Sequence, residues 1–155
     1  MKNILLTLII SFTILSCKKE NNYENDAELC TILSEMNESD QKIRNLPELR
    51  NGSQKIKDSL WVIQNKIDNK NTELLIEITK KRGWVSKTEL GCEKDMAPVV
   101  IFRHAPKKYW NEIGQLIEKE FSEKRMTKGD YWFIDNHLKG RPMDFGNGEI
   151  EIKYE

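Results

Sequence analysis

The chain has 155 residues, with 25 basic and 25 acidic side chains, two histidines and three cysteines. That length holds one hydrophobic core and not two. The even mixing of charge excludes a nucleic-acid footprint and a polybasic membrane patch, and suits a helical domain with a solvated surface better than a disordered tail.

The chain opens MKNILLTLIISFTILSCKK, with Lys2 ahead of an apolar run from Ile4 to Leu15. That run is too short to span a bilayer and has the length of a secretory signal core. The ILSC tetrapeptide ending at Cys17 resembles the lipobox of bacterial lipoproteins. The resemblance implies a signal peptide over 1–16, cleavage before Cys17, and lipid on its sulfur derived from acyl chains such as palmitate. Two or three acyl chains anchor stably, because each buried methylene contributes about 0.8 kcal/mol. The expected location is therefore the cell envelope, lipid-anchored to a bacterial membrane, in the outer membrane and facing the periplasm or the surface. Residues 17–25 read as a short polar tether, and 26–155 as a single domain.

Asn25 followed by Glu28 resembles a capping box, after which Leu29, Ile32, Leu33, Met36 and Ile43 recur at helical spacing until Pro47. The first helix is predicted over about 26–45. Ser53 can cap a second helix with the stripe Ile56, Leu60, Ile63, Ile67, Leu74 and Ile78, ending at Gly83. The two form an antiparallel pair, which places Cys30 near the segment that carries Cys92. An oxidising compartment lets these two cysteines pair; otherwise they are two separate buried thiols.

A loop, WVSKTELG, leads to a short apolar helix that Asp95 can cap, carrying Val99 to Phe102 and His104 before Pro106. Pro106 starts a fourth helix with Trp110, Ile113, Leu116, Ile117 and Phe121 on one face, and a fifth runs from about Thr127 to Leu138. Around the glycine turn GNG at 146–148, Met143 and Phe145 precede Ile150, Ile152 and Tyr154, which alternate with charged residues. That pattern predicts a small C-terminal β-hairpin whose apolar face must pack on the helices. The fold expected is mainly α, an antiparallel helical domain of about five helices with that hairpin appended.

The apolar stripes pass through polar positions: Asp40 on the first helix, Asn71 on the second, His104 on the third and Asp135 beside Ile134 on the fifth. Buried polar groups need partners, so these four should find one another, backbone or water. One account is a structural hydrogen-bond network in which Asp40 also pairs with Arg44 one turn on. The other is a pocket that binds a ligand, or an acid–base site in which His104 works with Asp40 or Asp135. One histidine and two carboxylates could hold a metal, but no HExxH, CxxC or EF-hand spacing is present, so neither metal nor cofactor is expected. His137 is expected to be solvated, and the four tryptophans to pack in the core or at helix ends.

The stretches Asp40-Gln41 with Arg44, Asp68 with Asn71, Gly83-Trp84, His104-Ala105 and Asp135 resemble an uncharacterised bacterial domain family marked by DQxxR, DxxN before GWP, QHAD, a late DR and a YGTQ ending. The resemblance covers about residues 30–146 and implies one binding site of Asp40, Gln41, Arg44, Asn71, His104 and Asp135. Val85, Arg103, Asn136, Met143, Asn147 and Gly148 depart from that pattern. Three functions fit: a lipid-anchored envelope domain that binds a small ligand or an envelope protein, an envelope hydrolase, and a structural or immunity-type protein acting through its outer surface. Nucleic acid is not an expected partner.

Overall fold

A computed structural model describes residues 23–94 and 97–141 of the chain. The signal peptide, Cys17, the Asp95 cap and the C-terminal hairpin expected from the sequence lie outside these residues. Within them the protein is mainly helical and contains no strand. The elements are α1 (Asp26–Arg44), α2 (Pro47–Asn51), α3 (Gln54–Arg82), α4 (Lys87–Leu90), α5 (Pro98–Arg103), α6 (Trp110–Ser122), preceded by a 3-10 turn at Lys107–Tyr109, and α7 (Lys128–Leu138).

The helix ends follow local chemistry. Asn25 Oδ1 accepts the Glu28 amide at 3.0 Å and starts α1, and Thr127 Oγ1 accepts the Asp130 amide at 3.1 Å and starts α7. Pro47 both ends the first helix and opens α2, because its missing N–H costs nothing in a first turn. The WVSKTELG stretch, expected as a loop, contains the one-turn α4, where Ser86 Oγ accepts the Glu89 amide. Pro98 occupies the first turn of α5, whose N-cap is Ala97. Gly83 ends α3 at φ 89, where a Cβ would lie 2.8 Å from Arg125 Nε, so glycine is required there.

α1 and α3 run antiparallel. Arg82 at the end of α3 pairs with Glu24 and Asp26 at the start of α1, and Arg44 at the end of α1 reaches back to Asp68. Tyr23 is buried with the Lys81 ammonium 5.2 Å from its ring, so the folded part begins before α1. The core is built from Leu29, Leu33, Leu75, Ile78, Phe102, Ile113, Ile117 and Ile134, all at most 2% exposed. The predicted α3 stripe needs correction. Its C-terminal members hold, with Ile78 buried and Leu74 packed on the core, but Ile56 and Ile63 are exposed, and Gln64, Asp68, Asn71, Leu75 and Thr79 complete the buried face. The physical reason is length: at about 1.5 Å per residue α3 outruns α1 by roughly 15 Å, and its first turns pass the core.

Cys30 and Cys92 form a disulfide with Cα atoms 5.5 Å apart, joining α1 to the segment after α4. It closes a loop of sequence separation 62, so on the chain-entropy account it contributes about 4 kcal/mol. Urea unfolding with and without reductant should show a loss of that size; an unchanged midpoint would contradict the loop-closure account.

Candidate functional site

On α1 the spacing 29, 33, 36, 40 keeps one face inward, so Asp40 follows Leu29, Leu33 and Met36 into the interior and is 1% exposed. Its carboxylate is fully engaged. His104 Nδ1 lies 2.9 and 3.0 Å from its two oxygens, Gln41 Nε2 donates to Oδ2 at 2.6 Å, and Arg44 Nε approaches Oδ1 at 3.5 Å. Arg44 then donates through Nη2 to both oxygens of Asp68, at 2.7 and 2.8 Å, and Gln64 Nε2 donates to the same carboxylate at 2.7 Å. The result is an alternating row, imidazole, carboxylate, guanidinium, carboxylate, amide, laid across α5, α1 and α3.

Alternation of sign is what permits two carboxylates to sit this deep. Removing one partner of a buried pair costs about 3–5 kcal/mol, because the other charge is left uncompensated. One atom escapes the accounting: Gln64 Oε1 is buried and has no hydrogen-bond partner among the described residues.

His104 is the C-cap of α5, its amide bonding to Val100 and Ile101 carbonyls, so helix geometry fixes where its ring begins. The Asp40 carboxylate only accepts, so Nδ1 donates, and the Nε2 lone pair is directed away from that contact. Among the described residues Nε2 makes no hydrogen bond, and the side chain is 23% exposed. A ring held at one nitrogen by a buried carboxylate and open at the other can accept a proton or a hydrogen bond from a ligand hydroxyl or amide, and the carboxylate stabilises the resulting cation. Trp61 lies beside Arg44, its ring centroid 5.8 Å from the guanidinium carbon. It is exposed, which corrects the expectation of a packed tryptophan.

The other two polar positions go elsewhere. Asn71 donates from Nδ2 to Met36 O and to Ser39 Oγ, both at 3.1 Å, so it stitches α3 to α1 one turn before Asp40. Asp135 is buried on α7 and is held by Lys139 Nζ at 2.8 Å; among the described residues it makes no hydrogen bond to His104. Sequence spacing did not single out Gln64 or Asp68 as inward. The i, i+4 pair they form on the face of Asn71 and Leu75 was the available signal.

Two further buried clusters lie outside this row. Glu120, 1% exposed on α6, accepts the Trp84 amide at 2.8 Å and two hydrogen bonds from Arg125. Burial pushes its carboxyl up, but the Arg125 and Trp84 bonds outweigh this and hold it below the ordinary carboxylate value. His137, expected to be solvated, is buried instead: Trp110 packs edge-on with ring centroids 5.0 Å apart, Arg141 Nε donates to Nδ1 at 3.1 Å, and Nε2 faces Ala105 O at 3.4 Å. Burial first, then the positive charges of Arg141 and Arg103, push its pKa down against the opposing pull of the Ala105 carbonyl.

Comparison of the chain with protein-family models, with curated proteins and with solved structures finds no match.

A histidine kept neutral by the fold gives a defined acid response. The unfolded chain binds the extra proton, so stability falls as pH drops below the ordinary value of 6.5 and stops falling once the folded ring titrates. Glu120 acts in a separate window, its stabilisation being lost only as pH falls below 4.5 toward its lowered folded value. Denaturation at stepped pH should show the His137→Gln variant losing less stability than wild type as pH falls below 6.5 toward the lowered folded value, with the deeper acid loss retained. Parallel profiles would count against the buried neutral ring.

Proposed function

We propose that this protein is a lipid-anchored component of the bacterial cell envelope whose helical domain binds a small hydrogen-bonding ligand at the open edge of His104. The observation that carries this reading is the Asp40–His104 pair, with a carboxylate 1% exposed orienting an imidazole 23% exposed whose Nε2 is not engaged by any described residue. Gln64 Oε1, at the far end of the row beyond Asp68 and Arg44, has no hydrogen-bond partner among the described residues and supports the same reading, since a native core rarely leaves such an atom without water or a ligand donor. Ligand contacts run through His104 and Arg44, while Asp40, Gln41 and Asp68 hold those two in place. Asn71 sets the helix pairing that brings Asp40 to its depth. Asp135 belongs to the reading only through the resemblance to the uncharacterised family.

A second reading is an envelope hydrolase in which His104 is the general base. The same pair favours it, because an imidazole backed at Nδ1 by a carboxylate is suited to take a proton at Nε2 from an attacking water. Among the described residues no serine or cysteine bonds to that nitrogen, so water is the nucleophile this geometry would use. The lipobox at Cys17 supports the anchor. The predicted C-terminal hairpin remains part of the proposed domain.

Two experiments test these readings. Cells fed radioactive palmitate should incorporate label in the wild type and not in Cys17→Ala; label in the variant ends the anchor claim. Fractionated envelope extract should shift the His104 ring resonances of the purified protein, an effect absent in His104→Gln. Turnover of an ester or phosphoester panel that is lost in that variant would move the assignment to the hydrolase. Ring resonances unmoved by every fraction would sink both.

A further inference from the structure

Arg44, Arg82 and Arg125 each pair with carboxylates. Arg103 and Arg141, by contrast, make no ion pair with any described residue, although they lie against each other where α5 and α7 end. The acid of α7 nearest Arg141 in sequence, Asp135, is taken by Lys139 Nζ at 2.8 Å.

Both guanidiniums are nonetheless fixed in place. Arg103 lies over the Phe133 ring, its guanidinium carbon 3.7 Å from the centroid, and its Nη1 donates to Phe133 O at 3.2 Å. Arg141 donates from Nε to Nδ1 of the buried His137 and from Nη2 to Arg103 O, both at 3.1 Å. Its backbone is left-handed at φ 58, a conformation most L residues avoid, and its side chain turns back to α5. Like charges held this way oppose each other: burial and then the Arg141 charge lower the Arg103 pKa from its ordinary value. Their contacts are two carbonyl oxygens, an imidazole nitrogen and a ring face, none of which carries a full negative charge. Most N–H donors of the two forks have no acceptor among the described residues, and Arg141 is exposed and Arg103 partly so.

We propose that Arg103 and Arg141 form a binding site for a phosphoryl group, carried by a phosphate monoester. Such a group brings a charge of about −1.5 to −2 and three acceptor oxygens, which matches two guanidiniums; a carboxylate would leave one of them uncompensated. Planar forks suit bidentate contact with phosphate oxygens. Phe133 and His137 already hold both side chains, so little rotamer freedom is lost on binding. The inference is independent of the lipid anchor and of any chemistry at His104, because neither guanidinium hydrogen-bonds to the row of Asp40, Arg44 and Asp68.

The test titrates inorganic phosphate into the purified full-length protein at constant ionic strength and reads the arginine Nε–H resonances. Those of Arg103 and Arg141 should shift and saturate together, and Arg103→Gln or Arg141→Gln should weaken the affinity about tenfold or more. His104→Gln should leave it unchanged; a matching loss there overturns a separate site. A response that never saturates, or that chloride reproduces, overturns the proposal as bulk screening. Affinity that survives both arginine changes overturns it too. If either variant fails to fold, the wild-type resonances decide, a common saturating shift upholding the site and its absence rejecting it. Glycerol phosphate and phosphatidylcholine vesicles containing phosphatidic acid then compete with inorganic phosphate. Stronger displacement by the first assigns a soluble monoester, stronger displacement by the vesicles a lipid headgroup, and displacement by neither overturns the monoester.

Discussion

Everything around the candidate site depends on one buried carboxylate. Asp40 occupies a position that helical periodicity assigns to the core, and a charge there is tolerable only if it is met from several directions. His104 from α5, Gln41 from the same helix and Arg44 one turn on supply those contacts. Because His104 comes from α5, the carboxylate fixes the approach of α5 to α1 as well as the orientation of the ring. Arg44 carries the same constraint onward to Asp68, so the spacing of α1 and α3 is tied to it too.

This arrangement separates holding from acting. The atoms that are deepest, those of Asp40 and Asp68, have their hydrogen-bonding capacity taken up by protein. The partly exposed atoms, His104 Nε2 and the Arg44 guanidinium edge, are the ones a ligand could reach. Sites built this way keep their reactive group in one orientation without occupying its outer face. The Trp84–Glu120–Arg125 and His137–Arg141 clusters do related work elsewhere in the fold, anchoring the turn after α3 and the last turns of α7.

Much of the helical organisation was legible in the chain. Asn25 and Glu28, Gly83, and Thr127 marked helix ends through hydrogen-bonding rules that act within a few residues, and the short-range signal survives folding. The inward positions of Asp40 on α1, Asn71 on α3 and Asp135 on α7 were legible for the same reason, since each lies in phase with apolar neighbours. The face of α3 was misread because Ile56 and Ile63 keep an apolar pattern going where the helix passes the core, and periodicity alone cannot tell a core face from an exposed one. His137 was misread because its burial is created by Trp110 and Arg141, one remote in sequence and one beyond the helix end.

The sequence by itself determined the long helices, several of their ends and the inward placement of Asp40, Asn71 and Asp135, because those follow from spacing along one chain. Tertiary structure decided the partnerships. Asp40 and His104 meet across 64 positions in sequence, while Asn71 turns to the α1 backbone and Asp135 to Lys139. Which buried polar group meets which is set by how α1, α3, α5 and α7 pack, and no local rule carries that information.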